Sequence, residues 1–307
     1  MRVCYFIQSH RGGAQLPRLV RTLRAASPGC RILVGHDARS GALSRADLPP
    51  GADLFHPPGP IERGRLSLLS PYFLAVEWLA ERGIDYDWLV YLSGQDYPTQ
   101  PLARSEAFLA ASAYDGFLTW WEAFGLANGW GRPHQGRRRY GYQYADAPRW
   151  LSLWLRPLHV FNGVQSFLHL HLTYGPRIGV RARHSPFQHG FVCYGGSQWL
   201  TLRRSCAEYL AENVRREAAL LAYYRRCVCP DESVCQTILV NGGRFRLCND
   251  NLRFMDFRGS RTGSPRVLTL ADFEALADDR YHFARKFDLD VDARILDRLD
   301  ARIFGAA

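Results

Sequence analysis

Residues 3–10 read VCYFIQSH and residues 31–37 read RILVGHD, and these two stretches decide the predicted fold. Each begins with a short apolar run bounded by polar residues, which is typical of a buried strand. Between them, leucine and valine recur at helical spacing from Leu16 to Leu23, with arginines in the intervening positions. The order strand, loop, helix, strand favours a parallel sheet that is flanked by helices.

Polar side chains follow both of these strands. Gln8 and His10 come after the first strand, and His36 and Asp37 come after the second. Because parallel sheets bind ligands at the carboxyl ends of their strands, these four side chains are candidates for one shared binding rim. The alternative for each of them is a residue that only caps or shapes a loop.

A third strand is predicted at residues 88–92, where the sequence reads WLVYL. A helix is expected before it, from about Ser67 to Arg82, and residues 40–66 are expected to form a loop because they are rich in Gly, Pro and Arg. The turn after the strand contains Asp96. We interpret Asp96 as a ligand-binding carboxylate because it follows a buried strand at the binding edge of the sheet.

The acidic residues do not form the pattern expected for a metal site. A sugar transferase that holds its donor diphosphate through a cation usually carries Asp-x-Asp after this strand. Here Asp96 stands alone, residues 85–87 precede the strand, and the alternating aspartates of residues 288–292 lie in a tail-like segment. The eight cysteines also fit no common zinc motif. We therefore expect no metal, and a bound diphosphate would have to be neutralised by side chains.

Composition bounds the possibilities for domains and partners. The chain has 307 residues, of which 47% are hydrophobic and 22% charged, so it is long enough for one large domain or two modest ones and is not globally disordered. Its formal net charge of +10 suggests an anionic partner: nucleic acid, a membrane surface or a phosphorylated substrate. Every basic residue is an arginine except Lys286.

Residues 129–172 differ in kind from the rest of the chain. They interleave arginines with tryptophans and tyrosines, as at Trp130, Arg139, Tyr140 and Trp150. This composition is typical of a surface for single-stranded nucleic acid, and equally of a sugar-stacking or membrane-edge loop. We interpret the segment as an inserted flap rather than as a separate domain.

Strand-like segments lie on both sides of this insert. A run at residues 116–121 ends at Glu122, and Trp120 within it is a further candidate for substrate contact. After the insert, residues 191–202 resume the sheet and contain a Gly-Gly-Ser-Gln-Trp turn, whose glycines permit close approach of the backbone to a ligand. A helix is expected from about Ala207 to Arg226.

Two charged positions near the end of the chain are candidates for chemistry. Pro230, Asp231 and Glu232 suit the first turn of a helix, which puts a carboxylate at the mouth of that helix as a potential general base. The alternative is that the two acids only complement the helix dipole. Lys286 lies between two phenylalanines near Asp288, so it is either a phosphate ligand or a member of a surface ion pair.

Four motifs occur in a consistent order along the chain. They are YLSGQDYP at residues 91–98, GSQW at 196–199, PDE at 230–232 and FARKFD at 283–288. Together with the opening strand and the His36–Asp37 turn, they resemble the core-2/I-branching β-1,6-N-acetylglucosaminyltransferases and the peptide O-xylosyltransferases. The resemblance extends from about residue 3 to residue 290.

The resemblance implies a GT-A-like, Rossmann-like α/β fold and assigns roles to individual residues. Glu232 matches the catalytic base, and Lys286 matches the lysine that binds the donor diphosphate. The family also uses an arginine upstream of that lysine, for which Arg266 is the first choice and Arg261 the second. The remaining expected donor contacts are Asp96, His36, Asp37, Gln8 and His10, and the expected acceptor contacts are Trp199, Ser197, Gln198, Asp231, Trp120 and Glu122.

The implied activity is inverting, metal-independent transfer of N-acetylglucosamine or xylose from a UDP-sugar to a hydroxyl of a glycan, a lipid-linked sugar or a protein. No cofactor is expected. The alternative is a non-catalytic binding protein whose arginine–aromatic surface holds single-stranded nucleic acid or an anionic membrane, although nucleic acid is not the expected partner.

Domain organisation and location follow from the same interpretation. We expect one glycosyltransferase domain over residues 1–307, with a nucleotide-binding half at 1–128, an inserted flap at 129–185, an acceptor and catalytic half at 186–290 and a C-terminal helix at 291–307. Neither a signal peptide nor a membrane-spanning run is predicted. A cytoplasmic protein is therefore expected, with peripheral membrane contact through residues 129–172.

Overall fold

The computed structural model describes residues 1–163, 165–260 and 263–305. In chain order its strands are β1 (Val3–Ser9), β2 (Arg31–His36), β3 (Ala52–Phe55), β4 (Trp88–Ser93), β5 (Asp96–Pro98), β6 (Gly116–Phe117), β7 (Trp120–Glu122), β8 (Tyr142–Asp146), β9 (Leu168–His171), β10 (Arg177–Arg181), β11 (Tyr194–Gly196), β12 (Thr201–Arg203), β13 (Leu247–Cys248), β14 (Arg253–Met255) and β15 (Phe283–Arg285).

The α-helices of the described residues are α1 (Gln15–Ala26), α2 (Ser70–Glu81), α3 (Leu102–Ala111), α4 (Gln135–Tyr140), α5 (Ser152–Leu158), α6 (Arg204–Arg216), α7 (Ala218–Arg225), α8 (Val234–Gly242) and α9 (Arg294–Phe304). Short 3-10 helices occupy Ala38–Ser40, Arg45–Asp47, Leu66–Leu69, Arg149–Leu151, His159–Gly163, Pro230–Glu232 and Leu270–Leu276. In this part of the chain, no helix combines the length and the apolar character that a membrane crossing requires.

A seven-stranded sheet in the order β13-β6-β12-β4-β1-β2-β3 forms the centre of the molecule. β1 pairs in parallel with β2 and β4, and β3 extends the parallel array beyond β2, whereas β12 is antiparallel to both of its neighbours. The predicted fold class, a mixed and mostly parallel sheet flanked by helices, is confirmed.

Helices cover both faces of this sheet because successive strand side chains point to opposite faces. Tyr5 and Ile7 of β1 lie in one buried cluster with the apolar side of α1 and with α9. Cys4 and Phe6 lie in the other, which includes apolar residues of α2, α6 and α8. The fold is therefore two apolar layers around one sheet, and its carboxyl edge is left uncovered for a ligand.

Four sequence predictions of local structure need correction. Residues 40–66 contain strand β3, which was missed because only four residues pair with β2. The run at 116–121 is split between β6 and β7, which belong to different sheets. The helix predicted at 207–226 is two helices that meet at Glu217. The residues Pro230–Glu232 form a 3-10 turn ahead of α8 rather than its first turn.

Two smaller sheets position the site. β14, β15 and β5 form one of them, with β15 in the middle, so that the segment before Lys286 is fixed beside the turn after β4. β8, β10 and β9 form the other, an antiparallel sheet within the predicted insert. The predicted domain boundaries at residues 128, 185 and 290 stay predictions.

Candidate active site

A deep cleft opens at the carboxyl edge of β1 and β4. Its cavity volume is about 1280 Å³, which exceeds the roughly 300–1,000 Å³ of an ordinary small-molecule site. One wall comes from the sheet and from β15, and the other comes from the insert and the Pro230–Glu232 turn. Glu232 and Lys286 both line this cavity, as a shared active site requires.

Lys286 follows β15 directly and is half-buried in the cleft. Burial lowers the pKa of its ammonium group, and the positive charges of Arg11 and Arg285 lower it further. Asp288 pairs instead with Arg11, with 3.5 Å between Oδ2 and Nη1, and the described residues show no ion pair to Lys286. The surface ion pair considered as the alternative for Lys286 is therefore not formed with Asp288.

Arg285 is the neighbour of Lys286 and lines the same cavity. Its Nε lies 3.1 Å from Asp96 Oδ1, and its guanidinium carbon lies 4.1 Å from the centre of the Trp199 ring. Burial lowers the pKa of Arg285. Asp96 and the Trp199 ring therefore hold the guanidinium group at the wall of the cleft.

Arg63 completes a group of cations that we call the basic wall, defined as Arg63, Arg285 and Lys286. Its guanidinium carbon lies 5.3 Å from the centre of the Tyr174 ring. Its positive charge contributes to lowering the pKa of both Arg285 and Lys286, as expected for neighbouring like charges. The three positive charges repel one another, and a bound diphosphate would offset this repulsion with its negative charge.

The arginines chosen from the sequence lie elsewhere. Arg266 forms ion pairs with Asp256, at 2.6 Å, and with Asp272, and the structure does not put it among the residues that line the cleft. Arg261 lies outside the described residues. Arg285 was missed because its position beside Lys286 offered no signal beyond that of the lysine, and Arg63 was missed because it lies in a predicted loop.

Glu232 is held by two side chains of the insert. Trp130 donates from Nε1 to Glu232 Oε2 at 2.7 Å, and Arg139 forms an ion pair with the same oxygen. The Arg139 guanidinium carbon also lies 4.6 Å from the centre of the Trp130 ring. Both donors use Oε2, and no described residue donates to Oε1. One carboxylate oxygen is therefore anchored, and the other is available to a substrate.

The glycine turn that precedes Trp199 serves packing within the protein. A side chain at Gly195 would come within 2.2 Å of the Trp130 ring, and one at Gly196 within 1.9 Å of the Thr119 carbonyl oxygen. Glycine at residue 195 thus makes room for the indole that binds Glu232. Close approach of a ligand to this turn stays a prediction, since Gly196 lines the cleft, and the structure adds close approach of Trp130.

Asp231 lies beside Glu232 and is buried, and it also lines the cleft. Burial, followed by the negative charge of Glu232, raises the pKa of its carboxyl group to about 7. Its Oδ1 has no hydrogen-bond partner among the described residues. Asp231 is therefore able to exist as a neutral acid near neutral pH and to donate a hydrogen bond into the cleft.

The remaining donor-side candidates divide into two groups. Gln8, His10 and Asp37 line the cleft, and Gln8 accepts a hydrogen bond from Tyr91. His36 lies beneath this rim, where its ring is within hydrogen-bonding distance of Ser9 Oγ, at 3.2 Å, and of the Gly41 carbonyl oxygen. Asp96 likewise lies beneath the rim, so it acts on the cleft through Arg285 rather than by contact.

The acceptor-side candidates are also divided. Ser197, Gln198 and Trp199 line the cleft, and Gln198 donates to the Tyr91 hydroxyl oxygen at 2.8 Å. Trp120 and Glu122 are not among the lining residues, although Trp121, between them on β7, is. The alternation of side chains along a strand explains this, since a face that holds residue 121 cannot hold its two neighbours.

Histidines of the insert form part of the cleft wall but not a metal site. His169 and His171 line the cavity. Burial lowers the pKa of His169 to about 4 and that of His171 to about 3. Across residues 1–163, 165–260 and 263–305, no group of three or more His, Cys, Asp or Glu side chains is arranged to hold a metal ion.

Comparison with known proteins shows which enzymes the chain is similar to. The family model described as "Core-2/I-Branching enzyme" matches residues 173–277, a range that includes Trp199, Asp231 and Glu232. Beta-glucuronosyltransferase GlcAT14B of Arabidopsis thaliana is 24% identical over 98% of this chain and 66% of its own length. Human xylosyltransferase 2 is 26% identical over 100% of this chain and 34% of its own length.

The extent of these matches differs between the proteins. The chain spans less than two thirds of the length of either relative. Among solved structures, A197 from STIV matches with 14% identity and a TM-score of 0.30 over 80% of each chain. The resemblance predicted from the motifs is confirmed: residues 173–277 match the core-2/I-branching family model, that family has a GT-A-like fold, and the chain is similar to curated glycosyltransferases.

Proposed function

We propose that this protein is an inverting glycosyltransferase that moves a sugar from a UDP-sugar to an acceptor hydroxyl without a metal ion. The observation that carries the proposal is the common cavity of Glu232 and the basic wall, at the carboxyl edge of a mostly parallel sheet. The Glu232 carboxylate, with one available oxygen, lines the same cavity as the three cations of the basic wall. These are the two elements that transfer from a nucleoside diphosphate requires.

The basic wall supports the assignment of the donor side. Transfer breaks the bond between the anomeric carbon and the β-phosphate oxygen, and the electron pair leaves with UDP. Arg63, Arg285 and Lys286 line the space where the resulting charge would be held. Fixed cations in a cleft with little water are effective at stabilising such developing charge, so they supply the stabilisation that a cation supplies in metal-dependent enzymes.

Glu232 supports the assignment of the base. Its free Oε1 accepts the proton of the acceptor hydroxyl while the hydroxyl oxygen forms a bond to the anomeric carbon. Because the nucleophile attacks the face opposite the leaving group, a single displacement inverts the anomeric configuration. Trp130 and Arg139 fix Oε2 and thereby determine where Oε1 points.

The contacts in the two walls of the cleft do not specify the donor sugar. The relatives are named as xylosyl- and glucuronosyltransferases, and the family also contains N-acetylglucosaminyltransferases. We propose UDP-xylose and UDP-N-acetylglucosamine as the first donors to test, with UDP-glucuronic acid as the third. Thermal stabilisation of the protein by each nucleotide sugar would rank them, since a ligand that binds only the folded state raises the melting temperature.

The decisive experiment compares the native protein with Glu232→Gln, using UDP release from the donor that stabilises best. We expect the variant to retain UDP binding and to lose about 100-fold or more in turnover. Near-native turnover by the variant would remove Glu232 from the role of base. Activity should also persist in EDTA, and restoration by manganese after chelation would contradict transfer without a metal.

A further inference from the structure

An exposed apolar surface covers the outer side of the insert. Trp150, Leu153 and Trp154 are 68%, 69% and 72% exposed, although large apolar side chains usually pack inside a protein. Only Leu155 of α5 is buried. We call the following set the apolar surface: Trp150, Leu153, Trp154, Leu158, Val160, Phe161, Phe167, Leu168 and Val180, which are all exposed.

The antiparallel sheet of the insert continues this surface. Leu168 of β9 and Val180 of β10 are direct cross-strand partners, so their side chains lie on the same face. The adjoining 3-10 helix is tied to β9 by Asn162, whose side chain donates to the Leu170 carbonyl oxygen at 2.9 Å and accepts from the Leu170 N–H at 2.8 Å. The surface is therefore a built feature of the insert rather than scattered side chains.

The charge of the same segment is strongly one-sided. Residues 129–185 contain nine arginines and one acidic residue, Asp146, which is a formal charge of +8 in a chain whose total is +10. Arg149, Arg156, Arg181 and Arg183 are exposed, and none of them enters an ion pair within the described part of the chain. Arg149 and Arg156 flank the exposed tryptophan Trp154 along the chain.

The combination of exposed tryptophan, exposed leucine and unpaired arginine specifies the chemistry of the partner. Tryptophan is favoured where one side of the ring is apolar and the other is wet, as at the boundary of a lipid bilayer. Arginines beside such a surface are attracted to anionic headgroups, while their aliphatic stems lie along apolar material. A protein partner or a second copy would satisfy the apolar residues but would need a matching excess of acidic groups.

The inner side of the same segment forms the wall of the cleft. His159, Asn162 and His169 line the cavity, whereas Val160, Phe161 and Leu168 are exposed. We propose that the apolar surface and its arginines dock the protein on an anionic lipid bilayer, with the mouth of the cleft beside the headgroups. This docking does not depend on the proposed sugar transfer.

Vesicle cosedimentation tests the proposal. The native protein is mixed with vesicles of phosphatidylcholine alone or of an equimolar mixture of phosphatidylcholine and phosphatidylglycerol, at low and at physiological ionic strength. We expect binding to the anionic vesicles only, and weaker binding at the higher salt concentration. Trp150→Ser/Trp154→Ser and Arg149→Glu/Arg156→Glu should each reduce the bound fraction about tenfold or more.

Matched controls distinguish the surface from general effects of charge or stability. Phe304→Ser removes a comparably exposed ring from α9, and Arg21→Glu/Arg298→Glu reverses two exposed arginines of α1 and α9. Both should bind vesicles like the native protein. The cooperative thermal unfolding of each variant without ligand reports whether it is folded, and Glu232→Gln should bind vesicles normally whether or not the protein transfers a sugar.

Three outcomes would overturn the proposal. The first is equal binding to neutral and anionic vesicles, or binding to neither. The second is concentration-dependent dimerisation that the tryptophan variant abolishes, since the apolar surface would then serve a second copy of the chain. The third is binding of single-stranded oligonucleotides that the arginine variant abolishes and the tryptophan variant leaves unchanged.

Discussion

The two walls of the cleft are built in different ways. Arg285 lies in β15, which is paired on both sides, and it is anchored by the buried Asp96. Glu232 lies in a short turn and is oriented by Trp130, from a loop, and by Arg139, from a six-residue helix. The proposed donor side is thus fixed by a paired strand, whereas the orientation of the proposed base depends on the insert. Substitutions on the two walls should therefore affect different steps.

Apart from replacement of Glu232 itself, the largest effect should be on donor binding. Lys286→Ala removes a cation from the basic wall, and we expect the Kd for UDP to rise about tenfold or more, since a hydrogen-bonded charge contributes about 1.5–3 kcal/mol. Isothermal titration with UDP measures this. Arg266→Ala is the matched control, because Arg266 is engaged by Asp256 and Asp272 outside the cleft. A larger loss of UDP affinity in Arg266→Ala than in Lys286→Ala would reverse our assignment of the donor wall.

A smaller effect, on turnover, should follow from Trp130→Phe. This variant keeps most of the ring but removes the N–H that binds Glu232 Oε2, so kcat should fall about tenfold while the Kd for UDP is unchanged. Steady-state kinetics together with UDP titration separate the two quantities. Trp121→Phe is the control, since the Trp121 N–H is buried without a partner among the described residues. Equal losses in both variants would mean that the ring, and not its hydrogen bond, matters.

A third effect concerns stability rather than the reaction, and it comes from Asp231, the neighbour of the proposed base. The folded protein raises the pKa of Asp231 from its ordinary 3.8 to about 7. Below about pH 4 the carboxyl is protonated in both states. Between about pH 4 and pH 7 only the unfolded state releases the proton, so the free energy of unfolding falls as the pH rises through this range.

Asp231→Asn removes this penalty and so tests it. Relative to the native protein, the variant should be more stable at about pH 8 than at about pH 5, as measured by urea denaturation at both values. Asp290→Asn alters an exposed aspartate and should show no such trend. A variant whose relative stability is the same at both pH values would show that Asp231 does not retain its proton in the folded state.

The same contrast explains what the sequence predicted well. The apolar runs of β1, β2 and β4 and the order of elements were sufficient for the fold class, because buried parallel strands have strong local signals. The motifs also brought Glu232, Lys286 and Trp199 into one cavity. The short strand β3 was not predicted, because four residues in a region rich in Gly and Pro show little hydrophobic periodicity.

The contacts between the insert and Glu232, within one wall, could not be predicted for a different reason. Trp130 and Arg139 are 102 and 93 positions before Glu232 in the chain, and no local pattern reports which aromatic residue of the insert reaches the turn. Arg266 illustrates the converse case: the resemblance implied an arginine upstream of Lys286 and Arg266 was the first choice, but two nearby aspartates bind its side chain. Ion-pair partners are a tertiary property, and charge alone does not select among them.

The position of β15 has a consequence for the order in which the protein is assembled. This strand is the middle member of its sheet, yet it comes after residue 280, and it pairs with β5, which is made at residues 96–98. The large sheet is complete in the sequence only at β13 (Leu247–Cys248), and Arg285 and Lys286 come later still, in the last part of the chain. During synthesis the carboxylate of Asp96 therefore lacks Arg285 as a partner until that last part has emerged.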